Sequence, residues 1–341
     1  MPVLIDIASP GHHLYKEAAA NRVKARLRSR QAIESCVNIG LINNMPDSAL
    51  VPTERQIFDL LDTASDKLPV RLRFYALPTV PRTDWARQYI GKYYSSIDEL
   101  WDGKLDGLIV TGAEPRAPKL AQEPYWSALT QIIDCAQEGT VSTVWSCLAV
   151  HSAVLHLDRI ERRKLAEKRI GIFAQEKMMD HPLLDGVPSP LPIPHARWND
   201  IGEDALRAKG YSILTKSAEA GVDTFVKQQK RSLFVYFQGH PEYDAHSLLG
   251  EYRRDIGRFL RGESEFYPTM PKNYFDPRAE ELLAVFQQRA VSEQRPELFA
   301  RFPLERVAIT LTKPWHVAAI RIYHNWISYI AAGRSRGLRA A

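Results

Sequence analysis

Short apolar runs alternate with amphipathic segments along most of this chain. The runs are rich in Val and Ile, show no helical period and lie at residues 36–43, 70–75, 108–110, 141–145 and 233–237. The segments between them, such as 54–64 and 125–137, carry apolar residues at helical spacing. Apolar runs without period are typical of strands buried on both faces of a sheet. The alternation therefore predicts an α/β fold with a mostly parallel sheet flanked by helices.

The composition divides the chain into three parts. Residues 1–35 are predicted to form an N-terminal arm with a basic helix, and 36–262 form the α/β core. After residue 262 the chain has proline-rich connections, one predicted helix at 278–293 and a closing segment at 315–330 with apolar residues at helical spacing. We expect residues 263–341 to form a helical C-terminal extension packed on the core.

Cysteine usage and the first residues bear on the compartment. Cys36, Cys135 and Cys147 are an odd and sparse set, which argues against a disulfide framework and favours a reducing environment. The chain starts without a basic leader, its first apolar run is broken by Asp6, and no run approaches the roughly 20 residues that a bilayer span needs. We expect a cytoplasmic protein with no membrane partner.

The net charge of +5 arises from 45 basic and 40 acidic side chains. The basic excess is local, at residues 22–30, 162–169 and 334–339. Such patches could bind nucleic acid, but no aromatic residues interleave with them, so we interpret them as solvated helix faces or tails and expect no nucleic-acid partner. A polyanionic cosubstrate such as coenzyme A is compatible with them.

One cysteine has the setting of a nucleophile. Cys147 follows an apolar strand and precedes the apolar segment 148–155, so a strand, a sharp turn and a helix are predicted around it. The helix N-terminus would favour its thiolate, and the small neighbours Ser146 and Ala149 suit a tight turn. The alternative is a buried cysteine that packs as a small apolar side chain.

A histidine and a carboxylate follow the last predicted strand, in Gly239-His240-Pro241-Glu242-Tyr243-Asp244. His240 would emerge at the same sheet edge as Cys147, and Glu242 could accept its other ring N–H. Because parallel strands end at one edge, where α/β proteins bind ligands, the pattern predicts a Cys-His-Glu triad.

Further candidates lie near this edge. Gly112 and Ala113, in the turn after the third strand, and the N–H of Leu148 could donate to an oxyanion. Arg254, on the helix after the triad and near Glu251, could hold a substrate carboxylate, unless it belongs to an exposed helix face. Because histidines from 151 onward show no metal-ligand spacing and no second thiol lies near Cys36 or Cys135, we predict no metal.

Several of these motifs resemble the homoserine O-succinyltransferase family of methionine biosynthesis. The resemblance runs from about Cys36 to Tyr329 and is carried by the Cys147 turn, residues 107–113, Pro124-Tyr125-Trp126, Pro194-His195-Ala196-Arg197-Trp198, and 239–245 followed by Glu251 and Arg254-Asp255. It implies a class I glutamine amidotransferase-like fold, a homodimer and an acyl-CoA cosubstrate, with no other cofactor.

The resemblance also implies a ping-pong reaction and roles for individual residues. Cys147 would take an acyl group from acyl-CoA as a thioester and pass it to the homoserine hydroxyl, with His240 as base and acid and Glu242 as its orienter. Arg254 matches the arginine that holds the homoserine carboxylate, and Glu251 matches a neighbouring acidic residue of the active site. Arg197 lies in a matching motif and is assigned to substrate binding.

The acyl donor is implied by one position. In the family, glycine at this position accompanies transfer of a succinyl group, and glutamate accompanies transfer of an acetyl group. This chain has Arg116 there. A guanidinium could pair with the free carboxylate of a succinyl group, which favours succinyl-CoA over acetyl-CoA. Alternatively, Arg116 points to solvent.

The chain departs from the family at two places. It has Asn44-Met45-Pro46-Asp47-Ser48 where two lysines commonly follow the proline, and Leu148 and His151 where Trp and Gln are usual. These departures leave open a different acceptor, such as serine.

An acyltransferase is the leading hypothesis. A glutaminase or other cysteine hydrolase uses a very similar triad and is the second, and a non-catalytic binding protein is the third.

Overall fold

The protein is analysed as a computed structural model, which describes residues 3–5, 12–14, 36–102 and 104–335. The predicted basic helix of the arm and the basic cluster at 22–30 lie outside the described residues, as do residues 336–339 of the last cluster. Among the described helices, none is both long and apolar enough to cross a membrane.

Twelve strands occur in the described part of the chain. They are β1 (Leu4–Ile5), β2 (Val37–Ile42), β3 (Val70–Tyr75), β4 (Gly107–Val110), β5 (Ser142–Ser146), β6 (Arg163–Lys177), β7 (Leu191–Asp200), β8 (Ser212–Ile213), β9 (Thr215–Ser217), β10 (Gly221–Val222), β11 (Thr224–Gln229) and β12 (Ser232–Phe237).

Eight of these strands form the main sheet, in the order β1-β3-β2-β4-β5-β12-β11-β8. The pairs from β1 to β12 are parallel, and β11 pairs antiparallel with β12 and β8. The five predicted apolar runs are β2, β3, β4, β5 and β12. The predicted α/β class with a mostly parallel sheet is confirmed.

Helices cover both faces of this sheet. They are α1 (Asp47–Ser65), α2 (Asp84–Tyr93), α3 (Trp126–Gly139), α4 (Leu148–Asp158), α5 (Glu203–Ala208), α6 (Ser247–Leu260), α7 (Pro277–Glu293), α8 (Leu304–Ala308) and α9 (His316–Ser335). One apolar core contains buried residues of α1, α6, α7 and α9, and a second contains those of α3, α4 and α5. The sheet therefore lies between two cores.

A second sheet was not predicted. It has the order β10-β9-β6-β7, and its pairs are antiparallel. The basic cluster at 162–169 lies mostly on β6, whose Lys168 is buried. The interpretation of this cluster as a solvated helix face is wrong, because β6 pairs with β7 and places Lys168 against acidic residues of α6.

The C-terminal helix α9 packs on the main sheet. Trp326 Nε1 donates to Ser142 Oγ of β5 at 2.9 Å. A Cβ atom at Gly107 of β4 would lie 2.7 Å from Ile330 Cδ1, so the helix approaches the sheet as closely as glycine permits. Just before α9, Trp315 Nε1 donates to the carbonyl of Tyr243 at 2.9 Å. The helix start is thereby tied to the loop that follows β12.

Candidate active site

Three strand ends bring the predicted catalytic residues to one place. In the sheet, β5 lies between β4 and β12, with Val110 opposite Trp145 and Phe237 opposite Ser146. The residues that follow these strands therefore emerge side by side at the carboxyl edge. The N–H of Cys147 donates to the Phe237 carbonyl at 2.9 Å, which ties the cysteine turn to the strand before His240.

Cys147 occupies a sharp turn between β5 and α4. Its backbone has φ 53° and ψ −116°, a conformation that a non-glycine residue rarely adopts. Hydrogen bonds on both sides hold it: its N–H is bound to β12, and its carbonyl accepts the N–H of Val150 in the first turn of α4. Such local strain persists where the surrounding structure fixes it. The sharp turn places the Cys147 side chain beyond the end of the sheet, where it lines a cavity.

His240 and Glu242 form a buried pair beside Cys147. His240 Nδ1 lies 2.8 Å from Glu242 Oε1, and the side chains are 4% and 10% exposed. The Tyr243 ring stacks on the imidazole at a centroid distance of 4.1 Å and an interplanar angle of 11°, which fixes the ring plane. Burial alone would lower the pKa of His240, but the charges of Glu242 and Cys147 and their hydrogen bonds outweigh it and raise the pKa well above its usual value. The geometry thus favours an imidazolium next to the sulfur.

Backbone donors face the nucleophile from two turns. Leu148 is the first residue of α4, where helical N–H groups have no partner within the helix. A Cβ atom at Gly112 would lie 2.9 Å from Leu148 N, so the turn after β4 packs directly against this N–H. Gly112 and Ala113 line the same cavity as Cys147. The close approach, which a side chain would block, is what a two-donor oxyanion hole requires.

A charged cluster borders the site and consists of Lys168, Glu251, Arg254, Asp255, Arg258 and Glu114. Lys168 Nζ lies 2.8 Å from Glu251 Oε2 and 2.7 Å from Asp255 Oδ2. Arg254 contacts the same two carboxylates at 3.0 and 3.4 Å. Although burial opposes ionisation, the charges of Lys168 and Arg254 lower the pKa of Glu251 to about 2. At the outer end, Arg258 pairs with Glu114 at 2.5 Å and lies 3.8 Å from Asp255.

The triad and most of this cluster line one cavity of about 340 Å³. Its walls include Met45, Thr53 and Gln56 from the β2–α1 region, the turn after β4, and Ala196 and Trp198 of β7. This volume is within the usual range for small-molecule sites. The lining therefore brings a thiol, a buried imidazole, backbone N–H groups and cationic side chains together around one small cavity.

Two predicted binding residues lie outside the lining of this cavity. Arg116 is exposed, and its backbone N–H donates to Glu123 Oε1 at 2.7 Å, two residues beyond Glu114 at the mouth. Arg197 is buried and donates to Asp200 Oδ1 and Gln238 Oε1, each at 2.7 Å. Side chains alternate along a strand, so Ala196 and Trp198 face the cavity while Arg197 faces away from it.

Three residues of the site were missed by sequence reasoning. Tyr243 was quoted only as part of the motif, Arg258 lies one turn after Arg254 on α6, and Lys168 belongs to the basic cluster on β6. A charge spacing of four residues between Arg254 and Arg258 was the available signal for Arg258. For Lys168 the sequence offered none, because its partners come from a helix more than 80 residues later.

Comparisons with known proteins agree over nearly the whole chain. Residues 2–335 match the family model described as homoserine O-succinyltransferase. A homoserine O-succinyltransferase from Rhodopseudomonas palustris is 47% identical over 307 residues, which are 90% of this chain and 92% of the relative. One from Methylorubrum extorquens is 46% identical over 88% of this chain and 89% of the relative. Among solved structures, a glutamine amidotransferase from Thermotoga maritima is 15% identical with a TM-score of 0.47 and covers 80% of this chain and 99% of its own.

Proposed function

The chain belongs to the homoserine O-succinyltransferase family, and we propose that it transfers a succinyl group from succinyl-CoA to the hydroxyl of L-homoserine through a thioester on Cys147. The observation that carries this proposal is the convergence of Cys147, His240 and Glu242 with the backbone donors of Gly112 and Leu148 on one cavity. The resemblance supplies the substrates, and the geometry supports the roles of the residues.

The first half-reaction acylates the enzyme. The Cys147 thiolate attacks the thioester carbonyl of succinyl-CoA, and the resulting oxyanion accepts hydrogen bonds from the N–H of Leu148 and from Gly112 or Ala113. Collapse of this intermediate breaks the bond to the coenzyme A sulfur, which takes the proton from the His240 imidazolium. Cys147 then carries the succinyl group, and His240 is neutral. Glu242 holds the imidazole in the tautomer that presents Nε2 to the reacting atoms.

The second half-reaction transfers the acyl group. Neutral His240 takes the proton of the homoserine hydroxyl as its oxygen attacks the Cys147 thioester. This proton transfer regenerates the imidazolium, and collapse of the second oxyanion then breaks the bond to sulfur and expels the Cys147 thiolate. Arg254, which lines the cavity, is proposed to hold the homoserine carboxylate, with Glu251 keeping the guanidinium in place.

Two arginines are proposed to serve the free carboxylate of the succinyl group. Arg116 corresponds to the family position that accompanies donor choice, and from the mouth it would meet an extended acyl chain. Arg258, in contrast, lines the cavity. It is paired with Glu114, whose side chain is 43% exposed. At the place where the resemblance leads one to expect two lysines, Asp47 begins α1 and pairs with Arg82 at 3.2 Å, so this segment contributes an anion instead of a cation. Donor contacts are therefore proposed to fall to Arg258 in the cavity or to Arg116 outside its lining.

The remaining assignments rest on the family resemblance. We propose a homodimer in the cytoplasm, with acyl-CoA as cosubstrate and no other cofactor in the reaction itself. Arg197 is proposed to act on substrate binding indirectly, by holding β7 so that Ala196 and Trp198 face the cavity.

Intact-protein mass spectrometry tests the reaction. The protein is mixed with succinyl-CoA or acetyl-CoA without acceptor, and then with homoserine or serine. We expect a succinyl adduct that homoserine discharges. The adduct should form in Cys135→Ser and be absent in Cys147→Ser. Cys135 is an exposed thiol, and its variant serves as the matched control. An adduct with acetyl-CoA alone would reject the donor assignment, discharge by serine alone would reject the acceptor, and no adduct with either donor would favour amide hydrolysis.

Donor choice is tested separately with Arg258→Gln and Arg116→Gln. Charge-assisted hydrogen bonds contribute about 1.5–3 kcal/mol, so loss of the arginine that holds the succinyl carboxylate should reduce the preference for succinyl-CoA over acetyl-CoA roughly 10- to 100-fold. The variant that leaves this ratio unchanged identifies the arginine without that role. Unchanged ratios in both variants would reject charge pairing as the basis of donor choice.

A further inference from the structure

A second cluster of ligand-type side chains lies apart from the catalytic cavity, where the N-terminal segment meets the core. Its members are His12, His13 and Glu54 of α1, and one ligand atom from each lies within 4.8 Å of the others. His12 Nε2 is 2.9 Å and His13 Nε2 is 3.7 Å from the same oxygen, Glu54 Oε2. Two imidazoles that are adjacent in the chain thus converge on one carboxylate oxygen.

The surroundings of Glu54 create a need for positive charge. Its side chain and that of His12 are fully buried, while His13 is 26% exposed. Within the described ranges the ion-pair partners of Glu54 are these two histidines, which are cations only when protonated, and its hydrogen-bond donors are the hydroxyls of Tyr89, at 2.7 Å, and Tyr94. A buried carboxylate is costly unless a cation compensates it. The partly exposed His13 leaves a route by which a small cation could arrive from solvent.

The donor set fits a particular class of cation. Two imidazole nitrogens and one carboxylate oxygen suit Zn²⁺, whereas Ca²⁺ and Mg²⁺ prefer oxygen ligands. In a tetrahedral zinc site with bonds of about 2.0–2.1 Å, ligand atoms are about 3.3 Å apart. The distances of 2.9 and 3.7 Å lie on either side of this value. Small shifts of these side chains and of Tyr89, whose hydroxyl lies 2.9 Å from His12 Nε2, would admit the ion.

The ligands are also held in place by neighbours. The His12 ring stacks on Phe74 at 5.7 Å and meets the edge of Tyr93 at 5.0 Å between centroids. The Tyr89 and Tyr94 hydroxyls hydrogen-bond to the two oxygens of Glu54, the kind of support that orients a metal-bound carboxylate.

We propose that His12, His13 and Glu54 bind one zinc ion, with water as the fourth ligand, and that the ion fastens residues 12–14 to α1. Thr53 and Gln56, which flank Glu54 on this helix, line the catalytic cavity. The ion would therefore secure a helix that forms one wall of the active site without touching the reacting atoms. Spacing along the sequence gave no hint of it, because Glu54 lies about forty residues from the histidine pair.

Zinc titration of the full-length, tag-free protein tests this proposal. The Cys147→Ala variant is used throughout, so that the catalytic thiol cannot bind the metal. After EDTA treatment and dialysis, we expect one zinc per chain with a dissociation constant below about 1 μM by competition with a chromophoric chelator. Co²⁺ at the same site should show the visible absorption of tetrahedral coordination.

Substitutions then locate the ion. His13→Gln, which changes the most exposed ligand and should preserve the fold, is expected to weaken zinc binding more than about 10-fold, and Glu54→Gln should do the same. His156→Gln changes a histidine elsewhere, on α4, and should leave affinity unaltered. Zinc should raise the thermal midpoint of the parent and of His156→Gln but not that of His13→Gln. Absence of zinc uptake by the parent, or zinc affinity in His13→Gln and Glu54→Gln equal to that of the parent, would overturn the proposal.

Discussion

Replacement of Glu242 by glutamine tests the triad most directly, because it keeps the shape of the side chain and removes its charge. Glu242 Oε1 lies 2.8 Å from His240 Nδ1, and both side chains are buried. With charge centres about 4 Å apart and an effective dielectric constant of 20, the carboxylate stabilises an imidazolium by about 4 kcal/mol. At about 1.4 kcal/mol for each factor of ten, Glu242→Gln should lower kcat/KM roughly 10³-fold.

The assay separates this electrostatic effect from a loss of fold. Acylation of Cys147 by succinyl-CoA is followed in a single turnover, and the rate of iodoacetamide alkylation is measured against pH. Because Glu242 raises the pKa of His240 and so stabilises the thiolate–imidazolium pair, alkylation in the variant should require higher pH. Glu138→Gln removes an exposed carboxylate by the same chemical change and should alter neither rate. If Glu242→Gln keeps the wild-type alkylation profile and a kcat/KM within about threefold of wild type, then Glu242 does not stabilise the imidazolium of His240.

Three further predictions concern the oxyanion donors and the charged cluster. Gly112→Ala places a Cβ atom 2.9 Å from Leu148 N and should lower kcat about 10²-fold, measured at saturating substrates, with a normal circular dichroism spectrum. Arg254→Gln should raise the KM for homoserine at least about 10-fold while acylation by succinyl-CoA in single turnovers stays unchanged; slowed acylation would contradict its acceptor role. The pKa of Glu251 is lowered to about 2, so its stabilising effect is present near neutral pH and is lost as pH falls. Between about pH 6 and about pH 3, the free energy of unfolding measured with urea should therefore fall by about 2 kcal/mol more in the wild type than in Glu251→Gln. Parallel curves of unfolding free energy against pH would contradict this.

The main sheet could be predicted because its central strands are buried on both faces. β4, β5 and β12 consist almost entirely of buried residues, and such runs stand out in a sequence regardless of register. Once these strands are parallel neighbours, their carboxyl ends must meet. The positions of Cys147 and His240 therefore followed from local patterns alone.

Elements without a clear apolar pattern could not be predicted. The first half of β6 is mostly exposed and charged, so nothing local distinguishes it from a helix or a loop. Helix α2 fully buries only Ala86 among its ten residues, and its other core contacts come from the partly buried Tyr89, Ile90 and Tyr93. The direction of Arg197 depends on which residues of β7 face the cavity, and this is decided by pairing with β6 rather than by the sequence of β7 itself.

The charged cluster has a property that isolated ion pairs lack. Lys168 and Arg254 both contact Glu251 and Asp255, and Arg258 lies near Asp255 as well. Breaking a buried ion pair by removing one partner is costly because it leaves a charge uncompensated. If a substrate carboxylate drew away Arg254 or Arg258, Lys168, the most buried cation of the three, would still contact both acids. We therefore expect that the cluster could release a guanidinium to an anionic substrate and still leave each carboxylate in contact with a cation, which a single arginine–glutamate pair in the same cavity could not do.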